Sequence, residues 1–224
     1  MEEIPDELPG RCTDITTQKK NSNRVSLFVD DTFIGGFYRD VVEKAGIRKG
    51  VHITPECYEL LLREEQSITL QEQVYRWLGM RNHSSGELRK KALIKGYSGD
   101  DITKVLEMTK AKGYIDDALF ARQFAEEKSR TKTWGPVKIR AALSQKGIKK
   151  LYIDAALDGL FDDDSVLHDL FTASRAVKKN VLKTENGIKR KKKLVDFLIR
   201  RGFPAHLVFE KSDDLLKKLE HEET

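Results

Sequence analysis

The stretch 113-GYIDDALFARQFAEEKSRTKTWGPVKIRAALSQKGI-148 closes one helical segment and opens two more. Gly113 can end a helix in the left-handed conformation, and Asp116 can cap the next one by accepting from its free backbone N–H groups. Ile115 and Phe120 stand at the spacing of a hydrophobic staple, and Leu119, Phe120 and Phe124 form an apolar stripe, so one face of this helix is expected to be buried. Trp134-Gly135-Pro136 then reads as a turn with Pro136 at the first helical position, where its missing N–H costs nothing. The second helix ends near Gly147. Residues 130–150 hold seven basic side chains and no acidic one.

Working outward, the same spacing recurs. Gly96, Gly147 and Gly202 are each preceded by a basic residue (Lys95, Lys146, Arg201), by Ala92, Leu143 and Leu198 four positions back, and by Leu88, Ile139 and Leu194 eight back. Positive charge just before the glycine suits a helix C-terminus. Three helix-turn-helix units in tandem are predicted, each followed by a connector helix such as 117–128 or 164–179, and stacking of such units gives a curved, elongated array. Ser84 and Glu87 have capping-box spacing for a helix starting at Ser85 and ending near Gly96, and residues 98–101 should cap another. Where Val105 and Leu106 stand in the first unit, the third has Lys211 and Ser212, which predicts weaker packing there.

Ahead of the helices, 24-RVSLFV-29 and 32-TFIGGF-37 alternate apolar and polar residues around Asp30-Asp31, the pattern of a β-hairpin. A short helix over 38–45, a third strand at 51–53 and a helix starting at Pro55 complete a small head. The fold class expected is mainly α, with tandem three-helix repeats behind a small α+β N-terminal domain. The expected boundaries are a flexible segment 1–23, the head 24–66, repeats over 70–130, 131–183 and 184–219, and a frayed acidic tail 220–224.

Composition narrows the function. Mean hydropathy is −0.54 and the net charge is +5, but the charge is unevenly placed: residues 151–172 carry six Asp and no base, while 173–203 carry eleven bases and two acids. Basic blocks on either side of an acidic one point to a surface for a polyanion or an acidic groove. No secretory signal or membrane span is legible, so a cytoplasmic location is expected. Cys12 and Cys57 are far apart, without histidines at ligand spacing, and read as free thiols. Asp116-Asp117 is better explained by capping than by acid–base chemistry, since helix neighbours point about 100° apart. Asp162-Asp163-Asp164 reads as a cap and solvated turn, and the five histidines are scattered. No phosphate loop, nucleophile elbow or HExxH occurs. An enzyme is not expected, nor any cofactor or metal.

The segments GYIDDALFAR and WGPVKIRAALSQKGI, with 81-RNHSSGELR-89 upstream and 193-KLVDFLIRRGF-203 downstream, resemble the RecX family, bacterial modulators of the RecA recombinase. The resemblance covers roughly residues 70–210. It implies a monomeric, non-catalytic protein that binds RecA and the groove of the RecA–DNA filament and suppresses filament extension, ATP hydrolysis and strand exchange. The family supplies no catalytic residue. Charge and helix position alone nominate Arg89, Lys90, Arg130, Lys132, Lys138, Arg140, Lys189, Lys191 and Lys192 as contacts with the filament or with single- or double-stranded DNA. Trp134 is either a core staple or a partner anchor. The rival reading is a direct DNA-binding helix-turn-helix regulator, although the second helices are acidic where phosphate would lie. A helical scaffold for another protein is a third.

Overall fold

The computed structural model describes residues 4–221. Their elements are β1 (Gly10–Gln18), β2 (Asn21–Val29), β3 (Thr32–Tyr38), α1 (Arg39–Lys44), β4 (His52–Ile53), α2 (Pro55–Met80), α3 (Ser85–Ile94), α4 (Gly99–Ala111), α5 (Asp117–Lys132), α6 (Pro136–Gln145), α7 (Lys150–Asp158), α8 (Asp163–Arg175), α9 (Lys178–Leu182), α10 (Gly187–Arg201) and α11 (Ala205–His221). The chain is mainly α behind an antiparallel sheet, and it forms two compact units. One comprises residues up to 80 with 92–107, the other 81–91 with the chain from 108 onward.

In the first unit the strands run in the order β3-β2-β1-β4. The β2–β3 turn is made by Asp30 and Asp31 at φ 46° and 68°, left-handed angles that Asp tolerates better than most residues. Val25, Leu27, Val29 and Phe37 turn one sheet face inward against Val41, Val42, Tyr58 and Leu61 of α1 and α2. Tyr58 Oη donates to Ile34 O at 2.9 Å, and Glu65 accepts from Tyr38 N at 2.7 Å while pairing with Arg24 at 2.6 Å.

Two expectations change in this unit. Residues 10–18, read as part of a flexible segment, are β1, paired with both β2 and β4. The run Thr13–Thr17 is β-branched enough for a strand but has one large apolar residue, Ile15, because its other face is in water. The head also does not end at 66: α2 continues unbroken to Met80, with Tyr58, Leu61, Leu70, Val74 and Trp77 all buried. No Gly or Pro between 56 and 78 interrupts it.

The glycine frame of the repeats holds, since Gly96, Gly147 and Gly202 all adopt positive φ. The connector helices, however, pack forward rather than backward. Ala121 and Ala125 of α5 lie in one core with Ile139 and Leu143 of α6 and Ile153 and Leu157 of α7. Likewise Leu170 and Ala173 of α8 and Val181 of α9 share a core with Leu194 and Leu198 of α10 and Val208, Leu215 and Leu219 of α11. The three-helix module is therefore α5–α6–α7, and α5 does not belong with the repeat assigned to 70–130. Small residues on α5 let α7 approach closely, a signal that an aromatic stripe obscures; Leu119 is exposed, and Phe120 and Phe124 are half-buried. The last repeat packs fully despite Ser212, whose hydroxyl donates to Phe209 O at 2.8 Å and is thereby satisfied inside the core. α11 runs through Glu220 to His221, and the rest of the acidic tail lies outside the described residues.

Candidate functional site

Four of the predicted caps are made. Glu87 N donates to Ser84 Oγ at 3.1 Å and Ser84 N to Glu87 Oε2 at 3.3 Å, the reciprocal box. Asp101 N reaches Ser98 Oγ at 3.1 Å, and Leu119 N reaches Asp116 Oδ1 at 2.9 Å. Asp162 caps α8 through Ser165 N at 2.7 Å. The neighbour of Asp116 does something the sequence reading missed. Asp117 is buried and accepts from Ser85 N at 2.8 Å, Ser85 Oγ at 2.6 Å and Lys110 Nζ at 3.1 Å, tying the starts of α3 and α5 to the end of α4. Burial opposes its charge, but these hydrogen bonds outweigh that cost and lower its pKa. The spacing Asp117, Ala121, Ala125 marks it as an inward position.

Successive repeats join through one recurring device in the second unit. The start of α3 meets the end of α6: Ser84 Oγ donates to Lys146 O at 2.6 Å, and a Cβ on Gly86 would lie 2.4 Å from that same oxygen. The start of α6 meets the end of α10 with backbone donors instead, Gly135 N donating to Arg201 O at 2.8 Å and Val137 N to Gly202 O at 2.9 Å. At the second junction unsatisfied N–H groups of a helix start take unsatisfied carbonyls of a helix end, opposite poles of two dipoles; at the first the Ser84 hydroxyl is the donor. Glu87 adds charge to the first junction, bridging Arg81 at 3.1 Å and Lys146 at 2.6 Å. Burial alone would raise its pKa; the hydrogen bonds from Arg81, Lys146 and Ser84 lower it to about 2.

These junctions consume several of the nominated contact residues. Lys90 Nζ donates to Gln145 O at the first junction, and Lys138 Nζ to Arg200 O at 3.3 Å at the second, where it also lies 4.7 Å from the Trp134 ring centre. Trp134 is half-buried against the α5–α6–α7 core, as a staple would be. Arg140 pairs with Asp154, Lys191 pairs with Asp213 at 2.7 Å, and Arg89 is half-buried. Arg130 and Lys132 at the end of α5, and Lys189 and Lys192 on α10, are exposed and form no ion pair among the described residues, although Arg130 and Lys132 lie near enough to Glu127 to help lower its pKa, after Lys128. Sequence alone could not separate the two groups, because each partner is supplied by a different helix.

His83, one of the scattered histidines, takes a structural role. It is buried, with Nδ1 2.8 Å from Arg81 O and Nε2 2.9 Å from Lys91 Nζ. A lysine ammonium only donates, so Nε2 accepts and Nδ1 carries the proton. Burial pushes its pKa down.

No helix among the described residues is long and apolar enough to cross a membrane. Residues 10–54 match the family model described as the regulatory protein RecX N-terminal domain, and 116–157 match the RecX second three-helix domain, the span of α5–α6–α7. Regulatory protein RecX of Clostridium perfringens (strain SM101) is 30% identical over 197 residues, covering 87% of this chain and 91% of the relative. That of Chlorobium phaeobacteroides (strain BS1) is 39% identical over 142 residues, 63% of this chain and 90% of the relative. A crystal structure of regulatory protein RecX superposes with TM-score 0.73 at 19% identity, over 92% of this chain and 99% of the other, which speaks for the fold. Sequence identity over nearly the whole length of such relatives, together with the matched domains, means that the chain belongs to the RecX family.

Proposed function

We propose that this protein is a non-catalytic modulator of the RecA recombinase that lies in the groove of the RecA–DNA filament and suppresses filament extension, ATP hydrolysis and strand exchange. Family membership carries the reading, and the arrangement of charge supports it. Within the second unit the start of α3 is tied to the end of α6, and the start of α6 to the end of α10, by hydrogen bonds, and exposed cations at Arg130, Lys132, Lys189 and Lys192 lie on both α5 and α10. A chain that touches several filament subunits converts weak, screened charge pairs into useful avidity, because each contact after the first is intramolecular. Obstruction then needs no bond-making step.

The helix-turn-helix rival is served poorly by α4, which opens with Asp100 and Asp101, and by α7, whose Asp154 is committed to Arg140. A helix presented to phosphate should not lead with carboxylates. The test is a titration of RecA ATPase on single-stranded DNA. Inhibition at well below one protein per RecA supports filament blocking; inhibition that appears only once free DNA is coated contradicts it.

A further inference from the structure

The acidic run of residues 151–172 takes no part in the proposed function, and it borders an apolar cleft of the second unit. The cleft holds about 410 Å³ and is walled by Leu157 of α7, Phe161 beyond it, Val166 and Leu167 of α8, and Pro204 and Leu207 beside the start of α11. Leu167 is exposed, and Phe161, Val166 and Leu207 are half-buried, so the apolar wall opens to solvent. Asp158 stands in the same wall, and Asp162 and Asp164 lie between Phe161 and Val166 in the chain. All three are exposed and form no ion pair among the described residues. Two basic residues also line the cleft, Arg140, which is committed to Asp154, and His206.

The start of α10 is the complement of this surface. Ile188 is 83% exposed, and the basic run 189–193 follows it. Arg190 and Lys191 are paired with Glu220 and Asp213 of α11, which leaves Lys189 and Lys192, the latter one turn on from Ile188, without an ion pair among the described residues. The first turn of α10 holds no carboxylate, so these cations crowd the positive pole of the helix, where carboxylates from outside would be favoured. From Ile188 to Arg201 the helix spans roughly 20 Å at 1.5 Å per residue, and Pro204 follows that far end. Ile188 therefore cannot reach the cleft of its own chain.

We infer that this protein associates with further copies of itself head to tail, Ile188 of one copy entering the α7–α8–α11 cleft of the next while Lys189 and Lys192 meet the aspartates around it. Charge selects a second copy as the occupant: residues 151–172 carry six Asp and no base, and residues 173–203 carry eleven bases and two acids. The two surfaces differ, so every pair keeps one unused Ile188 and one unused cleft, and a third copy can add. One buried aliphatic side chain and a few screened ion pairs make a weak contact. The chain is then monomeric when dilute and associates when concentrated. The inference does not depend on the filament reading, since it involves neither RecA nor DNA.

The test is sedimentation equilibrium of the nuclease-treated full chain without RecA, at rising concentration and low salt. The mean mass should rise past that of a dimer and fall back toward the monomer when salt is added. Ile188→Ser removes the inserted side chain and Leu167→Lys blocks the cleft, both at exposed positions. Each alone should weaken association by about tenfold or more. Their equimolar mixture should recover a dimer, because one variant keeps the cleft and the other keeps Ile188. Ile94→Ser deletes an equally exposed apolar side chain at the end of α3 and should associate as the wild type does. A wild type that stays monomeric at every concentration, variants that associate like it, a mixture no larger than its components, or equal loss in Ile94→Ser overturns the inference. Circular dichroism checks folding, and Leu167→Gln replaces the lysine variant if that one unfolds; it must likewise lose association alone and regain it in the mixture.

Discussion

Gly86→Ala tests whether repeats are joined through backbone contact. The added methyl would sit 2.4 Å from Lys146 O and 2.7 Å from Gly147 Cα. Both are main-chain atoms, so neither can rotate away, and relief to ordinary contact needs the α3 start and α6 end to part by about 1 Å. That movement stretches the 2.6 Å Ser84 Oγ–Lys146 O hydrogen bond and the 2.6 Å Glu87–Lys146 pair. Overpacking of this kind costs about 1–3 kcal/mol and a lost hydrogen bond about 1 kcal/mol more. Better helix propensity of Ala returns up to about 1 kcal/mol. The net loss, about 1–3 kcal/mol, should lower the melting temperature by several degrees at roughly 2–4 °C per kcal/mol for a chain of this size. Gly99→Ala is the control: at the start of α4 it has nothing within 4 Å and no positive φ, so it should be neutral or slightly stabilising. A Gly86→Ala protein that melts with or above the wild type in scanning calorimetry would refute the junction as described.

Further outcomes follow from the buried polar groups. Asp117→Ala strips Ser85 N and Lys110 of their acceptor and should cost about 2–3 kcal/mol, read as a lower urea midpoint; no shift would mean that the three helix ends are not tied there. Acid should weaken the fold through Glu87 and His83. Glu87 is lowered to about 2, so its stabilisation is full above the usual carboxylate range and is lost as pH falls toward 2. His83 is also lowered, so the unfolded chain takes up its proton first and stability begins to drop below about pH 6.5. Glu87→Gln should flatten the lower part of this profile and His83→Gln the upper, and denaturation midpoints measured across pH would expose either expectation as mistaken. Finally, Arg130→Glu/Lys132→Glu should raise the amount of protein needed to half-inhibit RecA ATPase, with only a small fall in melting temperature from placing negative charge at the end of α5; an unaltered titration removes this pair from the contact surface.

Local signals were readable where the cause is local. Capping at Ser84, Ser98 and Asp116, Pro136 at a helix start and the positive φ of Gly147 and Gly202 each depend on residues a few positions apart, and the sequence announces them. The frame of the repeats was less legible. Gly-to-Gly spacing is the same whether a connector helix packs forward or back, and only the small faces of Ala121 and Ala125 distinguish the two. β1 was hidden because a strand with one wet face and many threonines lacks alternation in hydrophobicity. The charge runs identified the basic blocks correctly, but not which side chains remain free. Lys138, Arg140 and Lys191 find their partners 62, 14 and 22 residues away, and α9 broke what read as one helix through Lys179.

Obstruction of the filament is tested most directly by watching growing RecA filaments on single-stranded DNA, by light scattering or electron microscopy, after a substoichiometric addition of this protein. Growth should stop and filaments shorten while most RecA subunits have no copy bound. Continued growth until the protein equals or exceeds RecA, or the same effect from the heat-unfolded chain, would contradict the proposal that a folded, non-catalytic row of repeats acts by occupying the filament.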